Sequence, residues 1–503
     1  MNYNKLISLN IPPYLALTGR VESWLKELKS ADNQDEMTRL PVSCTVFSVE
    51  DSMEGENGIE ASWVFTSHAL RYAAGVALDL SKLRPKGSTN DKGLTASGVV
   101  SFAKFYSLIN QELRRGGTYK NGACTLHLNL EHPDIEDYLN ASSKELPWIK
   151  RAVYVDRESL ASSSEELIEL LARKVNNGSV WLAKKNWDEN GVRLRSNVCL
   201  EVLLKHRGSC ILSPVNLGYF DDIEAIPDAF TESMKILCTI QKNTGIGEDG
   251  HYLHPDVDRQ VGLGIIGLAN LLAIHDVKYK DFIVDLENIV GLSTRTSNNS
   301  VSYEIAKKIN EGYIRAARVA RINNMDRAFA IAPTASVSYR HTDADGYYTT
   351  PEISPPIAQT VDRDSDTFGV TTYEYHPNIE TAKEVGWSLQ WRLLNAWQKM
   401  MNNTELAHAI SSNIWSTQTI TPKWITDVFM PSKLQTTYYR VSVDQEALDK
   451  SEIVTPDSSE EKLRGVYFDP GAIVEVQDVY KEEEEILLNS ALDDEKYCEA
   501  CGG

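Results

Sequence analysis

The chain reads as an α/β protein, and three observations support that class. Short apolar, β-branched stretches such as VSCTVFSV, residues 42–49, have the length and composition of buried strands. Stretches with apolar residues at helical spacing fall between them, and glycines close several of these. Strands alternating with helices favour largely parallel pairing, because each crossover returns the chain to the same end of the sheet.

The elements follow in order. Residues 1–40 read as short helices broken at IPPY and ending in a polar connection. SFAKFYSLINQELRRGG, residues 101–117, places Phe102, Phe105, Tyr106, Ile109 and Leu113 on one helical face and stops at paired glycines. EELIELLARKVNNG, residues 165–178, repeats that periodicity up to Gly178. GLGIIGLANLLAIH, residues 262–275, reads as a packed, glycine-bearing helix, and AKEVGWSLQWRLLNAWQKMMN, residues 382–402, as a Trp-rich amphipathic one. The acidic C-terminal stretch YKEEEEILLNSALDDEKYCEACGG is short of aromatics and reads as a flexible tail.

Composition bounds the function. The 503 residues are 42% hydrophobic and 24% charged, enough for a large core. A net charge of −20, from 51 basic and 71 acidic residues, argues against a nucleic-acid polymer as partner, since phosphate binding draws on Lys and Arg. No apolar run approaches a membrane span and the N-terminus lacks the pattern of a signal peptide, so a cytoplasmic protein without membrane contact is expected (host cytoplasm if the genome is viral). In that reducing compartment the seven cysteines do not suggest a disulfide framework.

One stretch concentrates reactive groups. In RSNVCLEV, Asn197, Cys199 and Glu201 share one side if the segment is extended, whereas a helix would turn Cys199 away from the other two. A thiol between an amide and a carboxylate has a nucleophile or radical carrier, an anchor and a base. The plainer alternative is a buried strand cysteine with polar neighbours.

The wider sequence resembles the catalytic subunit of ribonucleotide reductases. SNVCLEV followed by GSCILSPVNLG is similar to that family's finger loop, and PVSC at 41–44 resembles the strand carrying its first redox cysteine. KLRPKGS and RRGGTYKNGACT resemble the effector loops, APTASVSYR the phosphate-binding turn, TTYYRV the paired tyrosines, and CEACGG the C-terminal shuttle cysteines, all in the family's order. The resemblance implies a ten-stranded α/β barrel of two parallel five-stranded halves around a central finger loop. The barrel is expected over residues 41–445, after a short N-terminal helical segment at 1–40 and before a C-terminal extension at 446–503.

By that resemblance, Cys199 carries the thiyl radical that takes the 3′ hydrogen of a ribonucleotide, Glu201 takes the 3′-hydroxyl proton, and Asn197 holds the ribose hydroxyls. Cys44 and Cys210 are the dithiol that supplies the electrons, which requires their Cα atoms at about 5.5 Å. Ser43, Thr334, Ala335, Ser336 and Val337 are the substrate contacts, through hydroxyls and free backbone N–H groups at a helix start. Simple N-capping is the alternative for Thr334 and Ser336. Cys498 and Cys501 would shuttle electrons from a thioredoxin- or glutaredoxin-type reductant, their tail reaching roughly 30 Å as a coil. Half of a zinc site is the competing reading of that CxxC, but no second CxxC or His pair accompanies it, and no metal is expected. His251 and His254 read as solvated, and Cys124 and Cys238 as ordinary core residues.

The resemblance also implies a homodimer that binds a nucleoside triphosphate effector with Mg2+, through Asp51, Ser52, Arg84, Gly116, Gly117 and Lys120. Tyr438 and Tyr439 match a relay that brings the radical from a separate metal-containing small subunit, with no tightly bound cofactor in the chain itself. Adenosylcobalamin as the radical source is the alternative. Only 43 residues precede Cys44, so no on/off control through an N-terminal ATP-binding domain is expected. A catalytically silent nucleotide-binding protein and a general thiol oxidoreductase are the remaining rivals.

Overall fold

The computed structural model describes residues 3–30, 40–90, 93–113, 122–248, 250–364, 370–411, 413–416 and 420–441. Its centre is built from two sets of parallel strands. The first comprises β1 (Cys44–Ser48), β2 (Gly75–Asp79), β3 (Cys124–Asn129), β4 (Lys150–Val155) and β5 (Trp181–Lys184), paired side by side in chain order. Two short strands, β6 (Asn186–Trp187) and β7 (Arg193–Ser196), then lead to β8 (Leu203–Leu204), each antiparallel to the next.

The second set begins at β9 (Ser209–Cys210), separated by Ile211 alone from β10 (Leu212–Asn216). It continues with β11 (Gln260–Ile266) and β12 (Arg327–Ile331), passes an outlying hairpin of β13 (Thr360–Asp364) and β14 (Val370–Glu374), and resumes with β15 (Ala407–Ile410). β16 (Asn413–Ser416) prolongs β15 and pairs in parallel with β17 (Thr436–Val441). The two halves meet antiparallel along both seams, Cys44 opposite Cys210 on one side and Thr436 opposite Ala183 on the other. If β9 with β10 and β15 with β16 are each taken as one interrupted strand, the ring closes with ten strands and no free edge.

Strand burial explains the pattern seen in sequence. β1, β2, β11 and β12 are buried along their whole length, so they read as continuous apolar runs rather than alternations. The helices pack outside the ring; Ile226–Asn243 lies against Ser300–Ile322, where a Cβ on Gly312 would come within 2.9 Å of Phe230. No helix among the described residues is long and apolar enough to cross a membrane.

Three sequence readings are corrected. GLGIIGLANLLAIH is not one helix: Gln260–Ile266 is strand, and the helix starts at Leu268 after Gly267, whose φ is +74°. Its glycines serve close strand contact, since a Cβ at Gly264 would lie 2.5 Å from the Ala330 carbonyl oxygen. The Trp-rich segment is two helices, Ala382–Val385 and Trp387–Asn403, broken at Gly386. The helix Val99–Glu112 buries Val99, Ala103, Tyr106 and Asn110, whereas Phe105 is exposed and stacks on Trp63 with ring centroids 4.7 Å apart. Helix Glu165–Asn176 forms as its spacing predicts, with the Ser164 hydroxyl capping the Leu167 N–H.

Candidate active site

The segment bearing Cys199 threads the interior of this ring. β7 and β8 form a hairpin with Arg195 opposite Leu204 and Ser196 opposite Leu203, and residues 197–202 make its tip. The expectation of an extended tip is corrected: the Leu200 N–H closes a turn on the Asn197 carbonyl at 3.2 Å, with Leu200 at φ +69°. The turn still joins the predicted groups. Asn197 Nδ2 donates to Glu201 Oε1 at 2.8 Å, and Asn197 Oδ1 accepts the Val202 N–H at 3.1 Å. Asn197, Cys199 and Glu201 are all buried, Cys199 at 3% exposure.

Both halves of the barrel hold the hairpin. From the first, the Thr125 hydroxyl donates to the Val198 carbonyl at 3.1 Å, and the Tyr154 hydroxyl accepts the Ser196 N–H at 2.9 Å. The same hydroxyl lies in hydrogen-bond contact with His127 Nδ1 at 2.8 Å. Arg195 pairs with Asp79 at 2.8 Å, with side chains only 9% and 5% exposed. From the second half, His408 Nδ1 accepts the Leu203 N–H at 3.1 Å and the Ala409 N–H donates to the Glu201 carbonyl at 2.8 Å. Burial holds His408 well below the usual histidine range, which keeps that ring nitrogen an acceptor.

Cys44 and Cys210 occupy directly opposed positions on the seam, both fully buried, and the Cys44 N–H lies 3.2 Å from Cys210 Sγ. Directly paired antiparallel residues have Cα atoms about 4.5–5.5 Å apart, within the reach of a disulfide. The two pack with Cys199 in one cluster whose other members include Val46, Ala77, Ala123, Val198, Val202, Ala330 and Ala332. Burial, then the Cys44 thiol, pushes Cys210 well above the ordinary thiol range, so it carries hydrogen. Burial likewise pushes Glu201 well above the carboxylate range, helped by the Cys199 and Cys44 thiols and opposed by the Asn197 hydrogen bond. Cys124 and Cys238 sit in the outer core, as expected of ordinary core residues.

The remaining predicted residues divide. Ser43, beside Cys44, is fully buried and its hydroxyl has no hydrogen-bond partner among the described residues. Thr334 opens the short helix Ala335–Ser338, but its hydroxyl accepts the Glu352 N–H at 3.1 Å. The expected free N–H groups are fewer than supposed, since those of Ala335 and Val337 bond to Pro333 and Thr334 carbonyls. Val337 is turned into a separate cluster with Ala16 and Ile266, away from the cysteines, while Ala335 and Ser336 are half-buried. Asp51 and Arg84 do come together, paired at 2.7 Å beside exposed Ser52. Gly116, Gly117, Lys120, Cys498 and Cys501 lie outside the described residues.

His251 is half-buried and stacks on His68 at 3.8 Å rather than standing in solvent, and no group of three metal-ligating side chains occurs among the described residues. Sequence reading missed Tyr154, His408 and the Arg195–Asp79 pair. Their signal was a single polar residue at an inward position of an apolar strand, as in GVALD and AVYVD.

The family model described as "Ribonucleotide reductase, barrel domain" matches residues 42–182 and 176–313, together more than half of the chain. The chain belongs to the ribonucleotide reductase family. Among solved structures it is similar to the Actinobacillus ureae class Id ribonucleotide reductase alpha subunit, with TM-score 0.62 and 16% identity over 87% of this chain and 89% of that one. At that identity the likeness is one of fold. Among curated relatives, the vitamin B12-dependent ribonucleoside-diphosphate reductase of Mycobacterium tuberculosis strain CDC 1551 / Oshkosh is 28% identical over 300 residues, 51% of this chain and 41% of that protein. The vitamin B12-dependent ribonucleotide reductase of Bradyrhizobium diazoefficiens is 31% identical over 105 residues, 21% of this chain and 8% of that protein. The matches thus span less than half the length of either relative.

These reductases overturn one expectation. Both are named for vitamin B12, which removes the ground for a radical arriving from a separate metal-containing small subunit and for a chain without a cofactor of its own. The relay expected of Tyr438 and Tyr439 was tied to that subunit. The two residues lie on β17, paired in register with Asn413 and Ile414, and β-propensity accounts for an aromatic pair there.

Proposed function

We propose that this protein reduces ribonucleotides to 2′-deoxyribonucleotides by thiyl-radical chemistry at Cys199, with adenosylcobalamin as the radical source. The observation that carries the reading is the enclosure of Cys199 at a hairpin tip, beside Asn197 and Glu201, in one cluster with the opposed pair Cys44 and Cys210. Such a source asks of the chain one thiol shielded from water, and buried Cys199 fits. When bound, adenosylcobalamin would supply the one-electron chemistry that generates a thiyl at Cys199.

The chain's own groups do the rest. The Cys199 thiyl takes the 3′ hydrogen and later returns one. Glu201, once deprotonated, accepts the 3′-hydroxyl proton, and the hydrogen bond from Asn197 holds its carboxylate in place. The 2′-hydroxyl leaves as water, and Cys44 and Cys210 give up two hydrogens and become a disulfide. The sum is ribonucleotide plus dithiol to deoxyribonucleotide, water and disulfide. Low-dielectric surroundings favour hydrogen-carrying thiols over thiolates, which suits delivery of hydrogen.

We assign the substrate phosphates to the Ser43 and Ser336 hydroxyls, and favour diphosphates because the mycobacterial relative is named for them. The effector reading keeps Asp51, Ser52 and Arg84, with the ion pair opening to receive ribose and phosphate; the dimer and the Cys498–Cys501 shuttle with a thioredoxin-type reductant complete the proposal. The test is turnover of ribonucleoside di- and triphosphates by the full chain, with dithiothreitol and with or without adenosylcobalamin. Deoxyribonucleotide formed only with the cofactor, and not by Cys199→Ser, is the expected result. No product with any nucleotide in its presence overturns the reading.

A further inference from the structure

The inner cluster that holds Cys44, Cys199 and Cys210 is made of small and aliphatic side chains, with alanines at 77, 123, 330 and 332. Trp148 is the one half-buried apolar side chain among the described residues that packs against it, and the only aromatic there. It stands two residues before β4, hence at the barrel rim where β1 begins with Cys44 and where β12 delivers the chain to Ala332 and Thr334.

Its backbone is in the left-handed region, φ +65°, a conformation costly for a bulky residue that persists only where the surroundings impose it. They do so here. Buried Asn110 of helix Val99–Glu112 donates from Nδ2 to the Trp148 carbonyl at 2.6 Å, and the Ser107 hydroxyl of the same helix donates to the Pro147 carbonyl. The helix therefore holds a flat, apolar plate at the barrel rim, against the cluster that contains the three cysteines.

We propose that Trp148 is a substrate-binding residue, its indole providing the surface against which the nucleobase packs. The assignment rests on the ribonucleotide reading above. The ribose belongs beside Cys199 and the phosphates beside Ser43, which leaves the base as the planar, apolar-faced part of the substrate. Aromatic side chains take bases of any sequence through their π-faces.

The test compares Trp148→Leu, which keeps apolar bulk but removes the plane, with Trp148→Phe, which restores a plane. Steady-state KM and kcat are measured for a purine and a pyrimidine ribonucleotide. In Trp148→Leu, KM is expected to rise about tenfold with kcat within about twofold, and Trp148→Phe is expected to recover most of the loss. Saturable quenching of indole fluorescence by nucleotide in the wild type, reduced in Trp148→Phe, is the accompanying readout. Unchanged KM in Trp148→Leu for both nucleotides, with the wild type active, overturns the assignment and leaves the reaction standing. A wild type that turns over neither nucleotide strikes the reaction itself.

Discussion

Cys44 and Cys210 are partners across the seam where two oppositely directed half-barrels meet, with the Cys44 N–H 3.2 Å from Cys210 Sγ. The seam both closes the ring and makes the dithiol. Prereduced protein run without added reductant is therefore expected to stop after a burst, with peptide mapping finding Cys44 joined to Cys210. Two reduced cysteines in the stopped protein would remove the pair from the reaction.

Glu201 must lose its proton to accept another, and burial pushes its carboxyl well above the usual range. The sign follows: kcat/KM rises with pH through a titration higher than that of an ordinary glutamate. Glu201→Gln is expected to lose most activity and the rising limb with it. A pH profile in Glu201→Gln equal to the wild type's assigns the proton elsewhere.

Asn197 ties both sides of the hairpin tip, through Glu201 Oε1 and the Val202 N–H. Asn197→Ala leaves buried partners unmatched, at about 1–3 kcal/mol. Chemical denaturation reads the loss, and a stability equal to wild type contradicts the anchoring role.

The Asp79–Arg195 pair lies in the barrel interior, and burial there favours a neutral acid, but the Arg195 guanidinium and the hydrogen bonds from Ser81 together outweigh it and hold Asp79 below its ordinary range. A depressed acid stabilises the fold above its unfolded pKa, and that contribution disappears as pH falls through the folded one. Arg195→Met is expected to cost about 3–5 kcal/mol at neutral pH by leaving the charge alone. A double variant that also carries Asp79→Leu should recover part of it, and no recovery points to packing instead.

Asp258 works in the opposite sense. Its carboxylate accepts the Ser209 N–H at 2.8 Å while Gln260 Nε2 donates to the Ser209 carbonyl, so the two clamp the peptide beside Cys210. Burial pushes Asp258 up to about 6. A raised acid stabilises the folded state below its unfolded pKa, and this is lost as pH rises through about 6. Melting temperature is expected to fall across that window in wild type and to flatten in Asp258→Asn; an identical slope in both removes Asp258 as the titrating group.

The site was legible wherever a residue type is tied to local sequence. SNVCLEV named its own three groups, and they meet even though the tip is a turn rather than a strand, because the turn at Leu200 places Asn197 and Glu201 side by side. GLGIIGLANLLAIH misled because glycine and isoleucine at helical spacing fit a buried strand equally well, and only close approach of Ala330 decides between them. TTYYRV is ambiguous for a related reason: an aromatic pair on a strand says nothing of what lies beside it.

The sequence alone determined the α/β class, the family resemblance and the identity of the reactive groups, because those depend on residue types and short spacings. Tertiary structure decided which of them meet. Cys44 and Cys210 are opposed only because the halves run in opposite directions, His408 reaches the hairpin from the far half, and Val337 turns away from the cysteines. Register across a closed ring depends on every strand between two residues, and no local spacing encodes it.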